Sequence, residues 1–365
     1  MVEALKDRLN LTTVKHFSEQ FQTIYPAFPA EDYVKITVDK NWENLELKGR
    51  WQLLARNLGK VLPKDYKKAI QILEEVVEKL ADSDGMFLII FPDFVEFYGQ
   101  DLENWDLSIK ALKKFTQYSS SEMAVRPFIL QDEPRMMAQM LAWSKDENEH
   151  VRRLASEGCR PQLPWAQTLP NFKQDPTAIF PILEQLKADP SEYVRRSVAN
   201  NLNDISKTHP ELVTKLAKEW YGKDQRTDWI VKHACRTLLK KGNREAMALF
   251  GFQANVLKIS DFVLDKKKLA IGERLSFSFI VKAEQSTKIR LEYGIDYVKK
   301  NGKQSRKIFQ IIEGELEKNE EKIINKSQAF SDLSTRKHYP GTHRVILIAN
   351  GIEQENIEFD LGTQV

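Results

Sequence analysis

The sequence predicts a multidomain chain, α first and β after: a stack of α-helical repeats over residues 1–252 and a β-sandwich over 255–365. Three observations predict it. Val151-Arg152-Arg153-Leu154-Ala155-Ser156-Glu157 returns as Val194-Arg195-Arg196-Ser197-Val198-Ala199-Asn200, 43 residues later. The apolar pattern switches from helical spacing to alternation near Phe252. Turn dipeptides then cut the last third of the chain into short runs.

The repeat length falls in the roughly 40–47 residue range of HEAT and armadillo units. One such unit cannot bury its apolar face alone. It stacks with its neighbours into a HEAT-like repeat solenoid, whose concave side is an extended binding surface. A weaker third copy, Ile230-Val231-Lys232-His233-Ala234-Cys235-Arg236, follows 37 residues on. Leu53, Leu54, Leu58, Val61 and Leu62 recur at helical spacing, as do Ile70, Leu73, Val76, Val77 and Leu80. Pro63, Pro134, Pro181 and Pro210 are expected at first turns or between helices. Asp189 or Ser191 is expected to cap the second Val-Arg-Arg helix.

Beyond Phe252, Leu275 to Val281, Ile289 to Tyr293 and Val345 to Ile348 alternate with period two. Gly272, Asn301-Gly302, Pro340-Gly341 and Asn350-Gly351 separate the runs. About seven short strands in such a span suggest an immunoglobulin-like β-sandwich. All seven tryptophans precede residue 230 and both cysteines lie elsewhere, so the likeness is one of architecture only.

Composition narrows the class further. Apolar residues at 42% and charged residues at 29% argue against wholesale disorder. The net charge of +3 means that a nucleic-acid surface must come from local clustering. Cys159 and Cys235, each expected inside a helix, support neither a disulfide framework nor a zinc pattern, and a reducing cytoplasm fits. The N-terminal Met1-Val2-Glu3-Ala4-Leu5-Lys6-Asp7-Arg8-Leu9 has no apolar signal core. The dense apolar run from Met86 to Phe91 is far too short to cross a bilayer.

Three carboxylates in the helical half stand out. Glu122 lies in Ser121-Glu122-Met123-Ala124-Val125-Arg126-Pro127, and Glu157 lies 35 residues on in Ser156-Glu157-Gly158-Cys159-Arg160-Pro161. Asp204 follows after another 47 residues. Each step is about one repeat, so the three are expected along one side of the solenoid. Arg153 with Glu157, and Asn200 with Asp204, share a face at i,i+4. Solvated or ion-paired helix residues are the bland alternative. Against it, Gly158 and two prolines break the helix beside Glu157, and Pro161 and Pro164 restrict the backbone that carries Trp165. Asn200, Asn201, Asn203 and Asp204 also cost helix propensity without an obvious core role.

The basic residues carry two readings. Arg152, Arg153, Arg195 and Arg196 either pair with carboxylates of neighbouring repeats or form a row that tracks a phosphate backbone. Lys232, Arg236 and Lys240, with Lys241 and Arg244, make the third copy more basic and suit an anion-facing surface. In the β half, Lys299, Lys300, Lys303, Arg306 and Lys307 surround one turn, and Arg336-Lys337 forms a second strip. Such a hairpin is either simply solvated or reaches a groove or phosphate backbone.

Taken together, Ser121-Glu122 with Ala124 to Phe128, Val151 to Gly158 with Arg160-Pro161 and Leu163-Pro164-Trp165, and Val194 to Asp204 resemble the AlkC branch of the AlkC/AlkD DNA glycosylases. The resemblance runs through nearly the whole chain, including Ile295 to Lys303 and Thr335 to Gly341 in the β half. It implies excision of alkylated bases, 3-methyladenine and 3-methylcytosine above all, on a concave surface and without flipping the base into a pocket. It implies alkylated double-stranded DNA as partner, a monomer acting in the cytoplasm at the nucleoid, and neither cofactor nor metal. By that resemblance Glu122, Glu157 and Asp204 are the carboxylates at the lesion, Trp165 is the ring against the damaged nucleotide, and Arg153 is their companion. Met123 stands where an aromatic is common.

The chemistry agrees with the residues. An N3-methylated base is cationic and already a good leaving group. Its departure builds positive charge on the sugar, as in glycoside hydrolysis. Carboxylates stabilise that charge and orient water. An indole face adds a cation–π term of roughly 0.5–2 kcal/mol. The competing reading is a non-catalytic HEAT-repeat scaffold that binds a protein partner or DNA.

Overall fold

The computed structural model describes residues 4–81, 85–333 and 336–363. Met1, Val2, Glu3 and Thr335, all quoted above, lie outside them. The helices run α1 Leu11–Ile24, α2 Ala30–Thr37, α3 Leu47–Val61, α4 Tyr66–Lys79, α5 Gly85–Leu88, α6 Ile90–Tyr98, α7 Trp105–Phe115, α8 Arg126–Gln131 and α9 Glu133–Trp143. They continue with α10 Glu149–Glu157, α11 Pro170–Gln174, α12 Phe180–Leu186, α13 Glu192–Ile205, α14 Pro210–Trp220, α15 Gln225–Ala234, α16 Arg236–Lys240 and α17 Arg244–Leu249.

The first two repeat copies lie in α10 and α13, the third runs from the end of α15 across a break into α16, and α10 packs on α13 as α13 packs on α15. Val151, Leu154, Val194, Val198, Ile230 and Val231 form the buried stripe, with at most 2% exposure each. Pro134 and Pro181 fall in the first turns of α9 and α12, and Pro210 opens α14. Ser191 is the N-cap residue of α13 but makes no side-chain capping bond, because its hydroxyl donates to Glu149. Asp189 Oδ1 instead accepts from the Ser191 amide at 2.8 Å. Neither cysteine lies inside a helix. Cys159 follows the end of α10, Cys235 sits in the break between α15 and α16, and both are fully buried.

The strands are β1 Leu257–Leu264, β2 Lys268–Ala270, β3 Arg274–Ala283, β4 Thr287–Val298, β5 Gln304–Leu316, β6 Glu321–Ala329, β7 Gly341–Ala349 and β8 Ile352–Gly362. They form a three-stranded sheet in the order β1-β3-β6 and a five-stranded sheet in the order β2-β8-β7-β4-β5. All pairings are antiparallel except β2 with β8. Leu275, Phe277, Phe279 and Val281 from one sheet and Leu291, Tyr293, Val345, Leu347 and Phe359 from the other fill the core. Asn350 and Gly351, with φ of 47° and 77°, make the two-residue β7–β8 turn, where positive φ matches the strand twist.

By contact, the chain divides into two compact units. One holds the chain to His209 together with Glu219–Ala234; the other holds Pro210–Lys218 and everything from Cys235 onward. The second unit is therefore more than the sandwich, since it includes α16 and α17. A pair of glycines explains this packing. A Cβ on Gly242 would lie 2.4 Å from the Gly351 carbonyl oxygen, and a Cβ on Gly351 would lie 2.9 Å from Gly242 Cα. Only bare backbones can approach so closely. Asn350 Nδ2 adds a bond of 2.8 Å to the Gln253 carbonyl.

Candidate active site

The three carboxylates are brought together in one alternating ladder of charge. Glu122 pairs with Arg153, whose other nitrogen lies 3.6 Å from Glu157 Oε1. Arg160 donates to the same Glu157 oxygen at 2.5 Å and, through Nε, to Asp204 Oδ2 at 2.8 Å. Lys207 closes the row on Asp204 Oδ1 at 2.7 Å. Glu157 and Asp204 are each 5% exposed. Buried carboxylates persist only when paired and hydrogen-bonded, and this ladder supplies the pairing.

The elements set this geometry. Arg153 and Glu157 share one face of α10 at i,i+4, and Arg160 follows in the turn after it. Gly158 permits that turn, because a Cβ there would stand 2.6 Å from Val125 Cγ2. Asn201 does have a core role after all. It is fully buried and its Nδ2 donates to the Ser156 carbonyl at 2.8 Å, which ties α13 to α10. The Ser156 hydroxyl on α10 and the Ser197 hydroxyl on α13 meet at 2.6 Å. Asp204 is thereby held in register with Glu157.

The carboxylate oxygens are not equally engaged. Both Asp204 oxygens accept bonds, from Arg160 and Lys207. Glu157 is held through Oε1 and Glu122 through Oε2. Among the described residues no hydrogen bond reaches Glu157 Oε2 or Glu122 Oε1. Burial weakens the hold of Arg153 and Arg160 on their protons, but the facing carboxylates outweigh it and keep both above the usual arginine range.

Trp165 is 65% exposed and has φ of +62°. The Ala166 amide donates to the Leu163 carbonyl at 3.3 Å, so Leu163-Pro164-Trp165-Ala166 is a β-turn. With proline second and a positive φ third it has the type II pattern, whose third position favours glycine. An indole there costs on the order of 1 kcal/mol or more. Fully buried Arg126 holds the surrounding loop by donating to the Gly158 and Arg160 carbonyls, both at 2.9 Å, and to that of Gln167. Burial pulls Arg126 down to about 10.

Two site residues escaped the sequence reading. Arg160 was visible only as part of a motif, yet it bridges Glu157 and Asp204. Tyr193, 42% exposed, lies with its ring 4.9 Å under the Arg153 guanidinium. Its hydroxyl is raised by burial, opposed by Arg153 and reinforced by Glu122 and Glu157. Its place directly before the second Val-Arg-Arg was the available signal.

The basic residues divide. Arg152 grips Asp189 through two bonds of 2.7 and 3.1 Å and donates to the carbonyls of Asp146 and Glu147. Arg195 repeats the second half of this, donating to the carbonyls of Asp189 and Pro190, both at 2.8 Å. The first arginine of each copy thus closes the loop before its own helix. Arg152 shows the pairing with a neighbouring repeat's carboxylate that the first of the two readings expects, and Arg195 a hold on the backbone. The second arginines point elsewhere: Arg153 into the ladder, and Arg196, with a 61% exposed side chain, to Glu192. Lys232 and Lys240 are exposed, and Arg236 is half-buried.

In the β unit, Arg306 donates to Asp296 through bonds of 2.7 and 3.0 Å and to Glu353. Lys299, Lys307, Arg336 and Lys337 line one cleft of about 200 Å³ with Tyr297 and Tyr339. Lys300 and Lys303 are exposed in the turn beside it.

The comparisons with known proteins now decide the family. Residues 64–238 match the model described as DNA alkylation repair enzyme, and residues 258–363 match the C-terminal Ig-like domain of the uncharacterised protein YhaZ. The structure of the Pseudomonas fluorescens alkylpurine DNA glycosylase AlkC, bound to DNA containing an abasic-site analogue, superposes with a TM-score of 0.94. It is 38% identical and covers 99% of this chain and 100% of its own. The chain belongs to the AlkC family of DNA glycosylases. The YhaZ protein of Bacillus subtilis (strain 168) is 47% identical over 358 residues, 98% of this chain and 99% of that one. Both proteins match the helical and β halves alike, and the order of α repeats followed by an Ig-like sandwich is that of the AlkC structure.

Proposed function

We propose that this AlkC-type glycosylase hydrolyses the N-glycosidic bond of cationic alkylated bases, 3-methyladenine and 3-methylcytosine among them, in double-stranded DNA. The observation that carries the reading is the ladder of Glu122, Arg153, Glu157, Arg160 and Asp204, buried at its last three members, in which two glutamates each keep one oxygen that accepts no hydrogen bond among the described residues. As the base leaves with the bonding electron pair, its own positive charge is neutralised and the sugar becomes oxocarbenium-like. Glu157 and Glu122 face that charge and orient water toward C1′; the water oxygen bonds to C1′ and its proton passes to a carboxylate. Asp204, engaged at both oxygens, holds Arg160 and hence Glu157 in place. The Trp165 indole packs on the damaged nucleotide.

The surface suits a base that is not taken into a pocket. Trp165 is offered on an exposed turn, and lesions that are already good leaving groups need no enclosing acid to protonate them. Arg196, Lys232, Arg236 and Lys240 on the helices and Lys299, Lys300, Lys303, Lys307, Arg336 and Lys337 on the sandwich supply phosphate contacts. Among the described residues no helix is long and apolar enough to cross a membrane.

Purified protein incubated with methylated duplex DNA tests the reading, with released base separated by chromatography and identified by mass. Free 3-methyladenine and 3-methylcytosine are expected. Binding to the DNA without any released base would favour the scaffold reading instead.

A further inference from the structure

We propose that Lys48 is a positioning residue for the glycosylase site: from α3 its ammonium donates to the Trp165 carbonyl and holds the 163–166 turn in the state that presents the indole. The proposal rests on the reading of Trp165 as the lesion-contacting ring. The turn needs such a hold. Its third residue adopts φ of +62° without being glycine, and a free chain would relax toward negative φ. Arg126 grips the loop at the Gly158, Arg160 and Gln167 carbonyls, on either side of Trp165 but not at it. Among the described residues the bond from Lys48 is the one made to Trp165 itself.

Two further observations place α3 in this role. Trp51, one turn after Lys48 and on the same face, lies with its ring 6.4 Å from that of Trp165 at 52°. Its buried Nε1 has no acceptor among the described residues, so it is the ring face rather than the indole N–H that it contributes. Lys48 also faces Asp93 and Glu96 on the adjoining α6. Burial drives both carboxyls up, Asp93 to about 7, and Lys48 draws both back. The bond to the Trp165 carbonyl, with the pull of the two α6 carboxyls beside it, draws the ammonium inward rather than out to a phosphate.

The test compares full-length Lys48→Met, Lys48→Gln, Lys48→Arg and Trp165→Ala chains with the native one. Single-turnover release of 3-methyladenine is expected to slow roughly 10- to 100-fold in Lys48→Met and Lys48→Gln, the scale of a misplaced contact group. Lys48→Arg, which keeps a donor, is expected to recover most of the rate. Affinity for undamaged duplex and its salt dependence stay unchanged, and amide exchange speeds up in residues 163–169. A salt slope reduced by about one, with weaker binding to all DNA, would make Lys48 a phosphate ligand and overturn the proposal. Native rate and protection in both Lys48→Met and Lys48→Gln, beside a slow Trp165→Ala, would also overturn it. A native rate in Trp165→Ala would remove the reading of Trp165 beneath it, and no released base from the native chain would remove the glycosylase reading itself.

Discussion

Arg160 Nε lies 2.8 Å from Asp204 Oδ2 and joins the end of α10 to α13 across 44 residues of chain. Both side chains are nearly inaccessible, at 10% and 2% exposure. The bond gives two successive repeats one shared electrostatic centre, so the register of the solenoid and the spacing of the site carboxylates are the same quantity. Shifting α13 by a turn would part Asp204 from Arg160 and leave Glu157 without its strongest partner.

Arg160→Met is therefore expected to be costly. It strips Glu157 and Asp204 of a common cation, and breaking a buried pair from one side costs about 3–5 kcal/mol. Arg160→Met combined with Asp204→Leu is expected to recover part of that loss. Urea unfolding of the single and double variants measures it, and strictly additive losses would deny the coupling.

The two arginines of each repeat copy are expected to separate by assay. Arg152→Met breaks a bidentate pair to nearly buried Asp189 and is expected to lose about 3 kcal/mol of stability, with an unchanged salt slope for DNA binding. Arg196→Met loses only an exposed pair, so its stability is expected to stay within about 0.5 kcal/mol of native while the slope falls by about one. Thermal unfolding and salt titration together check both halves.

Asp93 predicts a pH dependence of stability. Burial, with Glu96 adding to it, raises its carboxyl to about 7 in the folded chain, against about 3.9 unfolded. The folded state then binds the proton more tightly, so its contribution is fully present below the unfolded value and is lost as pH rises through about 7. Asp93→Asn removes the dependence. Between pH 5 and 8 the variant is expected to gain roughly 2–3 kcal/mol relative to the native chain. Parallel stability curves would show that Asp93 ionises freely.

Replacing Lys299, Lys307, Arg336 and Lys337 together with glutamine tests the cleft of the β unit. Affinity for damaged and undamaged duplex is expected to fall alike, and the salt slope is expected to decrease by two or more, because phosphate contacts carry no lesion information. Single-turnover release at saturating protein is expected to stay near native. Lost excision without lost affinity would contradict this division of labour.

Much of the fold was legible because periodicity is a property of the chain itself. The 43-residue recurrence of Val-Arg-Arg identifies stacked helices, and alternation after Phe252 identifies strands. What spacing could not tell is where long side chains end. Arg152 and Arg153 are neighbours, yet one closes a loop and the other enters the ladder, a difference set by carbonyls that only the folded backbone presents. Arg306 likewise turns to Asp296, a cross-strand partner fixed by the β4–β5 register. The left-handed backbone of Trp165 was foreshadowed by Pro164, but proline restricts its own φ and cannot announce the sign of the next. The inclusion of α16 and α17 in the β unit depends on two glycines 109 residues apart, which no local pattern connects.

The carboxylate ladder as the catalytic device is tested most directly by Glu157→Gln. The amide keeps the shape of the side chain and removes its charge. Single-turnover release of 3-methyladenine from methylated duplex, followed by mass-detected chromatography, is expected to slow by about 100-fold or more, the scale of losing one preorganised electrostatic group. Affinity for the duplex and the circular-dichroism spectrum are expected to remain native. Release at the native rate by folded Glu157→Gln would contradict the account.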